Sequence, residues 1–569
     1  MAPAQRVRNL SARATSGRLG LLAYHPVDEA MAVAAAARYY GLDLEVVSAT
    51  AGPGRINESR LDAGYPMLGL SLEGLESLPE GWLGLVRNQL ARGGTVHVNG
   101  VVSAEPLRSL LAGLGIDGGA SDRSGAVSTV TFTADRPGFG AELGGLALET
   151  ATEAPRLSIP SGGAILAHAN WPSPAEAVTL EVPTGSGRLV VSAGTQRLRA
   201  GLAGAFEPHQ VLSVLPAMML MREVYGQCTW HAAMSMADLV IDDPMLCNNR
   251  LGIDYPSALA ATEEGGFHLT VATVPRELSL AEPEVVALLA QHPERLSACY
   301  HGNDHAGYEF YRSSAGVRRF RSRALDTQLA AIRGAAERGH VFANRTGHSL
   351  DRVMVFPHGL SPAELLPSLG EAGFLATCNW LDRYPLEAPC PDDYDLGLRP
   401  ADVGWGGFPL LWRRRPVDTA GLALDLFLGR PAIAFGHRKN LGTGFQWPRD
   451  LAARVNGLGV ARPVVWRGLE EIARHAYLQR SDGTTWRALM TANEICLHNP
   501  DPEPRIYHIC RPHAPTGAAL VSESATAAAA DELVVTVMPR ARRIVRMVFP
   551  GASDLPRPGG RTAPCTLPP

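Results

Sequence analysis

The chain has 569 residues, 46% hydrophobic and 19% charged, a composition that supports sizeable buried cores and a length that allows three or four domains of about 150 residues. Its 52 basic and 56 acidic residues leave a net charge of −4, so no overall basic field exists to hold a phosphate backbone, and nucleic acid is set aside as a partner. All the basic residues but Lys439 are arginines, a bias that fits high-GC coding better than function.

In chain order, residues 1–17 are polar and Arg-rich and are expected to be a disordered lead-in. Strands are predicted at Leu19–Tyr24, Leu44–Ala49, Met67–Leu72 and Thr95–Val101, with helices at Asp28–Tyr40 and Glu80–Arg92. Such alternation predicts a parallel sheet covered on both faces. Residues 18–205 therefore resemble a flavodoxin-like or amidotransferase-like α/β domain. A helix at Val211–Tyr225 leads to a second α/β region, 230–480. Its strands are predicted at Ala237–Ile241, His268–Thr273, Ser297–His301, Arg352–Phe356, Phe374–Cys378 and Pro431–Phe435, enough βα steps for a closed or deformed barrel. Residues 481–550 read as short alternating strands of a small, sandwich-like β-domain. The Pro- and Gly-rich tail, 551–569, is expected to be disordered.

The eight cysteines are scattered, and none forms a CxxC pair, so neither a thiolate zinc site nor a redox motif is indicated. The longest apolar stretch, Val211 to Met221, falls well short of the roughly 20 residues that span a bilayer. The N-terminus lacks the run of roughly 7–15 apolar residues of a secretory signal. These features predict a soluble, cytoplasmic protein with no membrane partner; oligomeric state is not legible.

Three segments end predicted strands with side chains suited to chemistry: ADLVIDDP with Asp242 and Asp243, ACYHGNDHAG with His301 and His305, and RPAIAFGHRKN with His437. Barrel enzymes build their sites at strand C-terminal ends, where the βα loops converge. Two imidazoles four residues apart plus one carboxylate form a common three-ligand zinc set with a fourth position left open. A neighbouring carboxylate can take a proton from water, and a separate histidine can give one to a leaving group. Each segment alone is commonplace; their order and shared position at strand ends carry the argument.

This order, with Val355-Phe356-Pro357-His358-Gly359 between the second and third segments, resembles the polysaccharide-deacetylase (NodB-homology) superfamily, and most of all its large multidomain exopolysaccharide-deacetylase-like members. The resemblance covers roughly 230–480. It implies a deformed (β/α) barrel in which Asp242 is the catalytic base and His437 the catalytic acid. Asp243, His301 and His305 match the ligands of a divalent metal, zinc by preference for two imidazoles and a carboxylate. The backbone N–H of His358 matches part of the oxyanion hole. The substrate implied is an N-acyl, foremost N-acetyl, amino sugar or glycoside.

Three positions depart from the family pattern. Val355 stands where an arginine normally orients the base, with Arg352 as a possible substitute. Gly302 replaces the Ser/Thr after the first histidine. The Asp and Trp that support the acid are approximated by Asn379-Trp380 or Asp382. The run Arg413-Arg414-Arg415 reads as a surface loop, and Trp380, Trp405 and Trp412 as sugar platforms or core. Two alternatives stand beside the enzyme: a non-catalytic carbohydrate-binding protein on a decayed deacetylase scaffold, favoured by the missing arginine, and a metal-independent glycosidase with paired carboxylates.

Overall fold

A computed structural model describes residues 18–23, 31–48, 65–79, 81–173, 176–195, 198, 211–249, 251–313, 320–380, 399–441, 444–458, 462–483, 485–514, 516–522 and 532–549. The expected lead-in, 1–17, and tail, 551–569, lie outside the described residues. The chain divides into two compact units, Met1–His231 with Arg480–Thr484, and Ala232–Gln479 with Thr485–Pro569.

The first unit is built on one ten-stranded sheet. Its strands are β1 (Arg18–Ala23), β2 (Asp43–Ser48), β3 (Met67–Ser71), β4 (Thr95–Val101), β5 (Gly119–Phe132), β6 (Ala147–Ser158), β7 (Ala164–Ala169), β8 (Glu176–Ala177), β9 (Thr179–Thr184) and β10 (Gly187–Ala193). They lie in the order β2-β1-β3-β4-β10-β9-β7-β5-β6-β8. β2 through β10 in that order pair in parallel, as expected of the flavodoxin-like layer. Both β3 and β4 are buried along their whole length, the signature of a sheet covered on both faces. Five antiparallel strands extend it. The first half of β6 alternates exposed and buried positions, as a strand with one wet face must. Helix α1 (Val211–Tyr225) belongs to this unit and is buried over most of its length, including Pro216.

The second unit holds a parallel barrel-like sheet. Its strands are β11 (Ser235–Asp242), β12 (Leu269–Thr273), β13 (Leu296–His301), β14 (Asp351–Val355), β15 (Ala376–Trp380), β16 (Leu410–Arg413) and β17 (Ala432–His437). They run in the order β16-β15-β14-β13-β12-β11-β17, all parallel. A parallel bridge from Arg414 to Ala434 brings the two ends of the series together, so the sheet nearly closes on itself. Six strands fall where the sequence places them. The seventh, β16, was not anticipated: it is only four residues long and runs straight into three arginines. Capping is local and ordinary: Asp254 accepts the Ser257 N–H at the start of the helix Tyr255–Gly265, and Gly266 ends it at φ 63°.

Two small sheets follow. Strands Tyr477–Ser481, Trp486–Met490, Arg505–Cys510 and Glu532–Val537 belong to one. Glu494–His498, Arg542–Val548 and Ala519–Ser522 form the other. Their inward residues, among them Tyr507, Val535 and Leu520, pack in one continuous core with Val353, Ala376 and Leu411 of the barrel. No helix among the described residues is long and apolar enough to cross a membrane.

Candidate active site

The first strand of the barrel sets the site. β11 is buried from Met236 to its end and leaves two adjacent carboxylates at its C-terminal rim. Asp242 continues the strand, in register with His437 at the end of β17. Asp243 turns away, with φ 80°, while its N–H stays bonded to the Ala272 carbonyl at 3.1 Å. A positive φ in a residue other than glycine costs roughly 1–3 kcal/mol and tends to mark functional positions. Consecutive strand residues face opposite sides; the left-handed turn is what lets both carboxylates serve one cavity.

His301 ends β13 and is almost fully buried. Its Nδ1 lies 3.0 Å from the Val355 carbonyl, which fixes Nδ1–H as a donor and leaves Nε2 for the cavity, 3.3 Å from Asp243 Oδ1. His305 Nε2 lies 3.6 Å from the same oxygen. The loop between the two histidines is clamped by Glu309, whose carboxylate accepts the N–H groups of Asn303 at 2.8 Å and His305 at 3.1 Å. Gly302, at φ 62°, is required: a Cβ there would fall 2.3 Å from a Glu309 carboxylate oxygen and 2.7 Å from the Pro357 ring. The departure at Gly302 thus has a steric cause.

Ligand atoms of Asp243, His301 and His305 lie within 4.8 Å of one another. Donor types, the cavity-facing Nε2 of His301 and the hydrogen-bonded orientation behind it fit a divalent metal. Electrostatics agree with that convergence. Burial works against ionisation of Asp243, but the hydrogen bond and charge of His301 and the charge of His305 outweigh it and take the carboxyl down to about 2. For His301, burial is outweighed by the Asp243 hydrogen bond and the two carboxylates, which push its pKa up. His305 is lowered, first by burial and then by the neighbouring His301.

Asp242 has a partner that the sequence did not reveal. Arg413, buried at the end of β16, donates to both its oxygens, at 2.6 and 2.8 Å. The run Arg413-Arg414-Arg415, expected to be a surface loop, begins inside the core: Arg413 is 1% exposed, and its guanidinium lies 4.5 Å from the Phe435 ring centre. Burial opposes the Asp242 charge, but Arg413, with His301 and His437, holds its carboxyl below the ordinary value. Arg352, the candidate substitute, is elsewhere, ion-paired with Glu470 and Glu494 at 3.2 Å each. Val355 presents its carbonyl to His301, while its side chain packs in the barrel core. A faint signal for Arg413 was present: an apolar strand, Leu410–Trp412, running into a charge, the pattern of the other site strands.

His358 follows β14 at φ 59°. Its Nε2 lies 3.1 Å from the Gly307 carbonyl, and its ring packs against His305 and Tyr308, with centres 4.9 and 4.7 Å apart. Asn379 is buried and donates to Ser361 at 2.7 Å, away from the carboxylates. Asp382 lies outside the described residues. Trp405 and Trp412 are core residues, whereas Trp380 stacks near Phe435 at 5.5 Å on the cavity wall. Asp242, Asp243, His301, His305, His358 and His437 all line one cavity of about 690 Å³.

No protein-family model and no curated protein matches the sequence. The crystal structure of Agd3, a carbohydrate deacetylase, matches with a TM-score of 0.50 at 12% identity, covering 94% of this chain and 98% of its own. The chain shares its fold with this deacetylase. At this identity the likeness establishes the fold. Two further structures share a smaller part. The family 4 carbohydrate esterase from Streptomyces lividans is 16% identical, covering 41% of this chain and 92% of its own at a TM-score of 0.24. The peptidoglycan deacetylase PdaC from Bacillus subtilis is 11% identical, covering 43% and 92% at 0.23. Likeness that slight carries no weight on function.

Proposed function

We propose that the protein is a metal-dependent deacetylase that hydrolyses the N-acetyl amide of an amino sugar or glycoconjugate. The observation that carries this reading is the meeting, in one cavity, of a three-ligand set (Asp243, His301, His305) with an Arg-held carboxylate and a histidine on adjacent strands. Agd3, sharing the fold over most of both chains, is described as a carbohydrate deacetylase, which makes a sugar amide the first substrate class to consider. A divalent metal, zinc by ligand type, would supply Lewis-acid polarisation of the acyl oxygen and ready ionisation of water.

The chain's own residues do the rest. Asp242 stays ionised across the neutral range because Arg413 holds its charge, so it is ready to accept the proton of the attacking water. Arg413 fixes both oxygens, which orients the remaining lone pairs. The backbone N–H of His358, on the positive-φ turn at the cavity wall, is assigned to the developing oxyanion. His437 protonates the departing nitrogen, since an amine leaves poorly unless protonated. A decayed, purely binding scaffold was favoured by a missing arginine; Arg413 at Asp242 removes that support.

His437 provides the test. His437→Ala should fold normally and keep its metal, but hydrolyse an N-acetyl amide about 10²–10⁴-fold more slowly. An activated aryl acetate, whose leaving group departs unprotonated, should suffer far less. Equal losses on amide and ester would make His437 a substrate-positioning group and overturn its assignment as the acid.

A further inference from the structure

Beyond His437 lies a second cavity of about 600 Å³, which shares Trp380, Phe435 and His437 with the catalytic one. Its other walls come from the turn after β16, with Arg415, Pro416 and Val417, and from helix α2 (Gln446–Gly457), with Trp447 and Arg454. Trp447 reaches this place because residue 436 is glycine: a Cβ there would sit 2.9 Å from its ring. The walls are thus two indole rings, a phenyl ring and prolyl and valyl side chains, with two guanidiniums among them.

Charge makes this cavity specific. Arg415 lies over the Trp380 ring, 4.6 Å from its centre. Arg454 donates to the Pro416 carbonyl at 3.2 Å. Among the described residues neither forms an ion pair. Among the described residues of the wall the one acid, Asp450, accepts from Gln446 at 2.8 Å. Among the described residues, two guanidiniums without an ion pair against one carboxylate favour an anion, and the guanidinium fork suits a carboxylate in particular. Flat aromatic faces suit the apolar face of a pyranose ring.

Position decides which part of a substrate enters. If His437 delivers a proton to the departing nitrogen, the acyl group faces the Asp243–His301–His305 side, and whatever the nitrogen is attached to extends past His437. We infer that this second cavity is a subsite for an acidic sugar, a uronate, linked to the N-acetylated amino sugar, with Arg415 and Arg454 as the residues that select it. The inference rests on the deacetylase reading for its direction, although not for its chemistry.

The test compares acetate release from two disaccharides, each carrying one N-acetylglucosamine, linked in one to glucose and in the other to glucuronate. Wild-type protein loaded with zinc should prefer the glucuronate disaccharide by about tenfold in kcat/KM, mainly through KM, and the preference should shrink as salt rises. Arg415→Gln/Arg454→Gln, checked for an unchanged unfolding temperature, should bring the ratio of the two kcat/KM values close to one. Equal use of both disaccharides by the wild type, or a preference that survives in the double variant, overturns the subsite. Should neither disaccharide release acetate, the deacetylase reading fails, and calorimetric titration of the glucuronate disaccharide decides the subsite by itself. Binding that weakens about tenfold in the double variant supports it, and binding that is absent or unchanged overturns it.

Discussion

Asp242 illustrates what one buried carboxylate needs. With both oxygens held by a guanidinium that is itself sealed in the core, it neither picks up a proton near neutrality nor rotates. Breaking such a pair costs far more than the pair contributes, because the surviving charge is stranded. Arg413→Gln should therefore destabilise the second unit by about 3 kcal/mol. It should also raise the Asp242 pKa, so that activity falls on the acid side of the pH profile where the wild type is still active. A profile of Arg413→Gln that superimposes on the wild type would show that Arg413 does not hold the base. The strain at Asp243 is similarly local: its positive φ persists where its N–H is bonded to the Ala272 carbonyl of the neighbouring strand.

At the scale of elements, the loops of the site are held by residues outside the cavity wall. Glu309 gathers the amides of the His301–His305 loop, and its burial pushes its own pKa up despite those bonds. Glu309→Gln keeps the shape but turns one acceptor into a donor facing backbone N–H groups. Residues behind a metal ligand typically control affinity by 10–100-fold. Zinc affinity, measured by chelator competition, should weaken by about that factor, while unchanged affinity would assign Glu309 to loop structure alone. A second cluster ties barrel to sandwich. Glu494 receives Arg474 and Arg546 at 2.6 Å and Arg352 at 3.2 Å. Burial disfavours its charge, but the arginines outweigh that and depress its pKa. A depressed carboxyl stabilises the fold fully above its unfolded pKa of about 4.3, and that contribution is lost as pH falls through the folded value. Glu494→Gln should thus unfold at a lower temperature than the wild type at pH 7, by the equivalent of about 1–3 kcal/mol. The gap should begin to narrow as pH falls below about 4.3. A gap constant from pH 7 to pH 3.5 would show that the Glu494 charge contributes nothing.

For the whole molecule, the architecture was largely legible in the sequence. Strand-length apolar runs separated by helices predicted six of the seven principal barrel strands, most of them to within a residue or two, because strands buried on both faces cannot hide their composition. Convergence of Asp243, His301 and His305 was legible for a related reason: all sit at or just past the C-terminal ends of parallel strands, and topology brings such ends together. What stayed hidden was contact between positions far apart. Arg413 meets Asp242 across 171 residues, from a four-residue strand that composition alone makes look like loop. The antiparallel half of the first sheet was missed for want of a marker that tells a strand's direction. Val355 kept its functional part, a carbonyl, which no side-chain pattern records.

The central claim is that this cavity hydrolyses an acetamide with a bound metal and Asp242 as base. Its most direct test is acetate release from N-acetylated amino-sugar substrates by metal-stripped protein, by zinc-reconstituted protein, and by zinc-reconstituted Asp242→Asn. Release is expected from the zinc-reconstituted wild type and not from the stripped protein, with Asp242→Asn slower by about 10²–10⁴-fold at full metal content. Equal release by the stripped protein, or turnover by metal-replete Asp242→Asn close to the wild type, would contradict it.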